Sequence, residues 1–425
     1  MPDEPRVADQ PTEAASSGVL GLRPAVAVHG LFVAFGVLIA AFFPFLTIYL
    51  EGKGLRAGQI GLALATMALV RVFFMPMWGH FADTRLGRLT ALQIGAVGAA
   101  TAAIAMTFAE GVAGVLVAGT LISAFMVATG PNVDSIALEY LGAERMADYG
   151  HMRGWESLAY AAGCLVFGAI LQGAGLSWAM PLYAAAGIGL LLWSTTVPRD
   201  RPKRSEEHGR LGAIGAVFRE APRFWGFLAA LFLLWTGFNA AWNFFSLKIV
   251  DQGGGPLLIG IGTALGGLVE VPTMRTSSRL QRRFGLRTTY MLGCSVYALG
   301  FFLWGGVSNP TLLSVLTVLE GLGFGLIFTT GVVIVGRLLP SSLYASGNSV
   351  AGMVAFGIGP IIGAGIGGYV YEHAGPGVLF TGASAFAIAA GLVAWFALST
   401  PALSQPMAKL PEVETGAGPE PGLVP

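Results

Sequence analysis

The segment GHFADTRLGRLT, residues 79–90, sets Asp83, Arg85 and Arg88 between two long apolar runs. Charge confined to a short, glycine-punctuated connection with hydrophobic chain on either side is the pattern of a hairpin between two membrane helices. Composition agrees: 54% of the residues are hydrophobic and 11% charged, against a charged share of about 25% in soluble domains. Apolar runs of about 20 residues cross a hydrocarbon core as helices. Twelve such runs are read, at 24–50, 58–79, 89–109, 111–138, 153–176, 178–197, 223–250, 256–276, 287–306, 310–337, 341–372 and 376–399.

The charges outside these runs are unevenly shared. With the N-terminus placed in the cytoplasm, the cytoplasmic segments hold 20 of the 24 Lys and Arg residues, from Arg6 to Lys409. The outer side holds Lys53, Arg56 and Lys248, and Arg71 is left inside the membrane. The positive-inside rule then sets both termini in the cytoplasm, and the expected location is the cytoplasmic (inner) membrane. Residues 1–23 form a polar tail without the short basic region and cleavage site of a signal peptide. The two cysteines, Cys164 and Cys294, both fall inside spans, so neither a disulfide framework nor a metal cluster is implied. No metal, cofactor or nucleic acid is expected, and the lipid bilayer is the obvious partner.

The longest polar insertion, residues 198–222, follows the sixth span and divides the chain into halves, 24–197 and 223–399. It reads as an exposed linker, with Leu211 to Phe218 able to form an interfacial helix. The tail at 400–425, rich in Pro, Gly and acidic residues, reads as disordered. Shifting the chain by 198 residues lays Arg85 on Arg283 and Gly87 on Gly285, while Asp83 falls on Gln281. The expected fold class is an all-α membrane protein with twelve transmembrane helices in two pseudo-symmetric six-helix bundles.

Gly79, Asp83, Arg85, Gly87 and Arg88, in a loop between the second and third spans, resemble the signature of the major facilitator superfamily. The second glycine stands one position later than in the usual pattern, and Leu89 replaces a common basic residue. The stretches DYGHMRGWESLAY (148–160), LVEVPTM (268–274) and GIGPIIGAGIGG (357–368) resemble its phenylpropionate-permease-like and nucleoside-symporter-like branch. That branch normally has glycine where Glu156 stands. The resemblance implies secondary transport of a small organic solute by alternating access, by a chain expected to be monomeric, without identifying the cargo.

In the superfamily the hairpin latches onto the start of the eleventh helix. Here Asp83 would face that helix near Ser341 and Ser342, an interaction of about 0.3–1 kcal/mol; the bland alternative is a helix cap or a solvated side chain. Intramembrane ionisable residues are functional candidates by default. Arg71 and Asp134 are read either as an ion pair or as an anion-binding residue and a proton-coupling residue. Glu156 and Arg275 would bridge the halves as an inner gate if the fifth span packs on the eighth. Glu270 and Glu320 join Asp134 as proton-coupling candidates, the alternative being satisfied helix–helix hydrogen bonds.

Helix seven carries Asn239 and Asn243 four residues apart on one face, with Trp235 and Trp242 on a neighbouring stripe. Asn239, Trp242 and Asn243 are substrate-binding candidates with Arg71 and Asn132, and His29 is read either as facing the same cavity or, as is commoner for a lone membrane histidine, as hydrogen-bonded packing. Aromatic packing is the competing reading for the tryptophans. The glycines of 357–368 place small residues four apart, which lets helices approach closely, and Pro360 invites a kink. The fifth span lacks the glycine-proline motif of many efflux antiporters, which favours uptake over drug efflux. Proton symport is the leading reading, proton-coupled efflux of an amphipathic compound the runner-up, and a polytopic membrane enzyme or transport-dead receptor the reading of a different class. No phosphate-binding P-loop or nucleophile elbow occurs, so no catalytic residue is assigned.

Overall fold

The computed structural model describes residues 23–142, 145, 148–198, 222–340 and 343–406. Within them the backbone is helical, without strands. In hydrocarbon every peptide N–H and C=O must find a partner inside its own segment or a closed barrel, and helices meet that demand locally. The first part of the chain forms α1 (Pro24–Ala40), α2 (Leu46–Gly52), α3 (Ala57–Phe81), α4 (Arg88–Phe108), α5 (Gly111–Met126), α6 (Thr129–Leu141), α7 (Tyr149–Ala174) and α8 (Ala179–Ser194). The second part forms α9 (Pro222–Asp251), α10 (Pro256–Phe284), α11 (Leu286–Gly306), α12 (Pro310–Val315) and α13 (Thr317–Leu338). It ends with α14 (Tyr344–Met353), α15 (Gly359–Ala374), α16 (Pro376–Ala397) and α17 (Pro401–Ser404).

Ten helical segments of the described residues are long and apolar enough to cross a membrane. The expected spans outside that set are 24–50, which breaks into α1 and α2 just before and after Pro44, and 287–306, which opens on Arg287 and two threonines. Proline shapes a second break. Pro360 has no N–H for the carbonyl one turn earlier, and the helix relaxes there into a π turn at Val354–Ile358.

Helices before residue 198 pack mainly on one another: α1 on α7 and α8, α4 on α5 and α8, α3 on α5. Those after 222 do likewise, α9 and α11 on α16, α10 and α11 on α13, α9 on α15. The two groups meet along two long seams, α7 against α10 and α3 against α15.

The internal repeat is visible in the backbone. Gly87 and Gly285, the pair superposed by the 198-residue shift, precede α4 and α11 with φ of 77° and 84°, a region glycine enters without the penalty of a Cβ. A second device repeats as well. Lys53 donates to the carbonyls of Thr107 (2.5 Å) and Ala109 (3.2 Å) at the end of α4. Lys248 donates to those of Trp304 and Gly305 at the end of α11. Each ammonium satisfies carbonyls that a helix end leaves without partners, at the negative pole of its dipole. From the sequence alone both lysines count only as outer-side charges.

The linker at 199–221, its expected interfacial helix, and Ser341 and Ser342 lie outside the described residues. The tail expected to be disordered begins differently: α17 packs against α11 and α13, and Leu403 is buried, because one leucine among the prolines and alanines finds an apolar seat. Replacing the buried Lys248 by methionine should strand the α11 carbonyls and cost about 1–3 kcal/mol. A lowered thermal midpoint in detergent is the expected result, and an unchanged one would remove the lysine from the account.

Candidate functional site

A cavity of about 440 Å³ lies where the two helix groups face each other, lined from α1, α2, α3, α5, α7, α9, α10, α13, α15 and the turn before α15. Its size falls within the usual range for small-molecule sites, about 300–1,000 Å³. On α3, Leu64, Met67, Ala68 and Arg71 share one face and all reach the cavity. On α9, Trp235, Phe238, Asn239, Trp242 and Asn243 do the same.

One end of the cavity is sealed. There the Thr47 hydroxyl donates to the Asn243 carbonyl at 2.7 Å, and Glu372 on α15 accepts from the Gly58 amide at 2.7 Å and pairs with Arg56 at 3.4 Å. Glycines let the backbones meet. A Cβ on Gly61 would lie 2.6 Å from the Ala364 carbonyl, and one on Gly368 2.5 Å from that of Ala57. On the other seam a Cβ on Gly168 would lie 2.7 Å from the Pro256 carbonyl, and one on Gly260 would collide with the Cys164 carbonyl. Toward the hairpin end the lining opens: Arg71 and Phe356 are exposed, whereas Ile259 at the sealed end is not.

Four of the sequence-chosen binding residues, Arg71, Asn239, Trp242 and Asn243, lie on this wall. Trp242 stacks between Phe238 and Phe245, both with ring centroids at 5.9 Å, so packing and lining coexist in one side chain. Asn132 does not reach the cavity. It is buried and its amide donates to the Ala128 carbonyl at 2.6 Å one turn back. His29 likewise bonds the Ala25 carbonyl and is not among the lining residues.

The expected Arg71–Asp134 pair is not formed. Asp134 instead accepts from the Tyr149 hydroxyl at 2.8 Å, a partner brought alongside by the start of α7. Nor is the Glu156–Arg275 bridge. Glu156 pairs with Arg153 at 2.5 Å, one turn away on α7, which needs no movement of another helix, and Arg275 is exposed. Asp83 pairs with Arg88 at 3.6 Å, and Arg88 also reaches Glu139 at 3.4 Å. A Cβ on Gly79 would meet open space, Arg85 is exposed, and the helix start expected to receive Asp83 lies outside the described residues.

Glu270 and Glu320 come together. Glu320 is buried against Gly266 of α10, and Glu270 sits one turn further along that helix and interacts with it electrostatically. Neither carboxylate has an ion-pair partner among the described residues. Tyr160, which lines the cavity, lies within electrostatic reach of both. The sequence reading missed it, although it stands four residues after Glu156 and so on the same helix face.

Cys164 is fully buried beside the α7–α10 crossing, as is Cys294 elsewhere. In a Cys294→Ser background, Gly260→Val should force that seam apart and make Cys164 react with a maleimide that leaves the parent unlabelled. Equal protection in both proteins would show that the crossing is not a tight seal.

Comparison with known proteins agrees with this geometry. Residues 28–382 match the MFS_1 like family. The chain is 27% identical to the maltose permease of Geobacillus stearothermophilus across 81% of its own length and 86% of that protein's. It is 24% identical to the probable 3-phenylpropionic acid transporter of Escherichia coli (strain K12), across 82% and 90%. The fold is similar to the crystal structure of the nucleoside transporter NupG, with a TM-score of 0.78 at 17% identity, covering 89% of this chain and all of that one. With a family match across most of its length and the helix seams described above, the chain belongs to the MFS_1 like family of major facilitator superfamily transporters.

Proposed function

We propose that the chain is a secondary transporter that moves a small organic solute through the central cavity by alternating access. The observation that carries this reading is a polar-and-aromatic cavity between two helix groups, sealed at one end and exposed toward the other. In this reading the twelve apolar stretches all span the membrane, as two six-helix bundles over 24–197 and 223–399 joined by the linker 198–222. The present state is inward-facing, with the hairpin end and both termini in the cytoplasm of a cell whose inner membrane holds the protein.

The physics of the cycle follows from what the seams are made of. Glycine crossings such as Gly61–Gly368 and Gly168–Gly260 are held by close van der Waals packing, which can be exchanged for similar packing at the other end as the bundles rock. Closing the hairpin end would bring Asp83 and Arg88 toward the start of α14. It would also let Arg275 compete with Arg153 for Glu156. The parts are therefore latch residues (Gly79, Asp83, Arg85, Gly87, Arg88), gate residues (Glu156, Arg275) and a binding wall (Arg71, Asn239, Trp242, Asn243).

Proton symport is the coupling this arrangement supports best. Glu270 and Glu320 are neighbouring intramembrane carboxylates that form no ion pair among the described residues, Arg153 acting on Glu270 only from beyond ion-pair distance, a placement that marks ion pathways, and Tyr160 connects their neighbourhood to the cavity. Asp134, held by Tyr149, is the third titratable position. Relatives named for maltose and 3-phenylpropionic acid transport are consistent with a small organic cargo.

The test uses proteoliposomes loaded with a pH dye, to which aromatic acids, nucleosides or sugars are added outside. One cargo class should acidify the lumen faster than in protein-free vesicles, and Glu270→Gln or Glu320→Gln should remove the excess while leaving binding measurable. Alkalinisation would indicate proton exchange in place of symport. Full coupling in both variants would exclude these carboxylates.

A further inference from the structure

The cavity wall holds one charged side chain among its described lining residues, the Arg71 guanidinium. Several other cations have local partners: Arg153 pairs with Glu156, Arg88 with Asp83 and Glu139, and Lys53 and Lys248 donate to helix-end carbonyls. Arg71 has no ion-pair or hydrogen-bond partner among the described residues. Exposed at the open side of the cavity, the guanidinium is free to exchange water for a ligand, and its planar fork matches a carboxylate with two parallel hydrogen bonds.

The rest of the wall restricts the ligand further. Most of its small polar side chains are already engaged: Ser123 donates to the Met67 carbonyl, Thr263 to that of Ile259, Thr47 to that of Asn243, and the Asn239 amide to that of Trp235, while the Ser246 hydroxyl has no partner among the described residues. The Asn243 carboxamide is left without a protein partner. A solute covered in hydroxyls would give up its water for few replacements, and unmatched polar groups are penalised heavily on burial. An apolar body loses nothing there, because α3 leads up to Arg71 with Leu64, Met67 and Ala68, and aromatic rings face it from α9.

We propose that the cavity binds a small organic acid, its carboxylate held by Arg71 and its apolar body against the aromatic wall of α9. This rests on the cavity being the substrate site of the transport reading above. It selects an amphipathic anion over the neutral sugar or nucleoside that similarity alone would equally suggest, and the absence of Asp or Glu from the lining leaves nothing to repel such an anion.

The experiment is calorimetric titration of the purified full chain in nanodiscs with phenylacetate and 4-phenylbutyrate, with their primary amides, and with maltose. The acids should bind more tightly than the shape-matched amides by about tenfold or more, the weight of one charge-assisted contact. Arg71→Gln should abolish that difference, and Arg71→Lys should retain part of it, with unchanged thermal midpoints showing that both variants fold. The proposal is overturned by amides that bind the wild type as well as the acids, by a preference that survives Arg71→Gln, or by no acid binding at all. Maltose accumulating in proteoliposomes at equal rates with and without Arg71 would also overturn it, while leaving the transport reading intact. Arg71-dependent acid binding without accumulation of any solute would do the reverse.

Discussion

A charge buried in hydrocarbon must be neutralised or face water, and this constraint organises the protein. Backbone polarity is neutralised by making the described membrane segments helical. Side-chain charge is neutralised by local partners, most clearly at Lys53 and Lys248, whose ammonium groups tie the end of α4 to α2 and the end of α11 to α9. Those two ties stand in equivalent places of the two repeats. At the cavity, Arg71 and, beside it, Glu270 with Glu320 form no ion pair among the described residues, and these are where transport chemistry is proposed.

The second organising feature is the glycine content of the seams. Helices that meet through Gly61, Gly168, Gly260 and Gly368 approach until backbone touches backbone, so the sealed end is closed by shape more than by charge. The few polar contacts there, such as Thr47 to Asn243 and Arg56 to Glu372, set the register. A seal of this kind has little electrostatic energy to lose on opening, which suits the proposed alternation of access.

Much of the fold was legible in the chain itself, because lipid enforces a coarse rule: an apolar run of sufficient length becomes a helix. The repeat was legible through glycine, since Gly87 and Gly285 occupy turns that other residues enter at a cost. The cavity wall was legible where one helix face carried the signal, as on α9 with Asn239, Trp242 and Asn243. Partnerships between helices were not. Glu156 was expected to reach Arg275 and found Arg153 one turn away; Asp134 was expected to meet Arg71 and met Tyr149. Local partners are available whatever the tertiary arrangement, and a single sequence does not reveal when they win. Asn132, similarly, turns its amide back to its own helix.

Alternating access requires that the two ends of the molecule move in opposite senses, and this is the claim to measure most directly. Spin labels at Thr84 and Arg282 would report the hairpin end, and labels at Glu110 and Ser308 the sealed end, in a background with Cys164 and Cys294 replaced. Pulsed electron–electron distance measurements on the reconstituted protein, with and without a transported solute, should show a population in which the first distance shortens while the second lengthens. Distances that stay fixed at both ends, or that change in the same direction, would contradict the account.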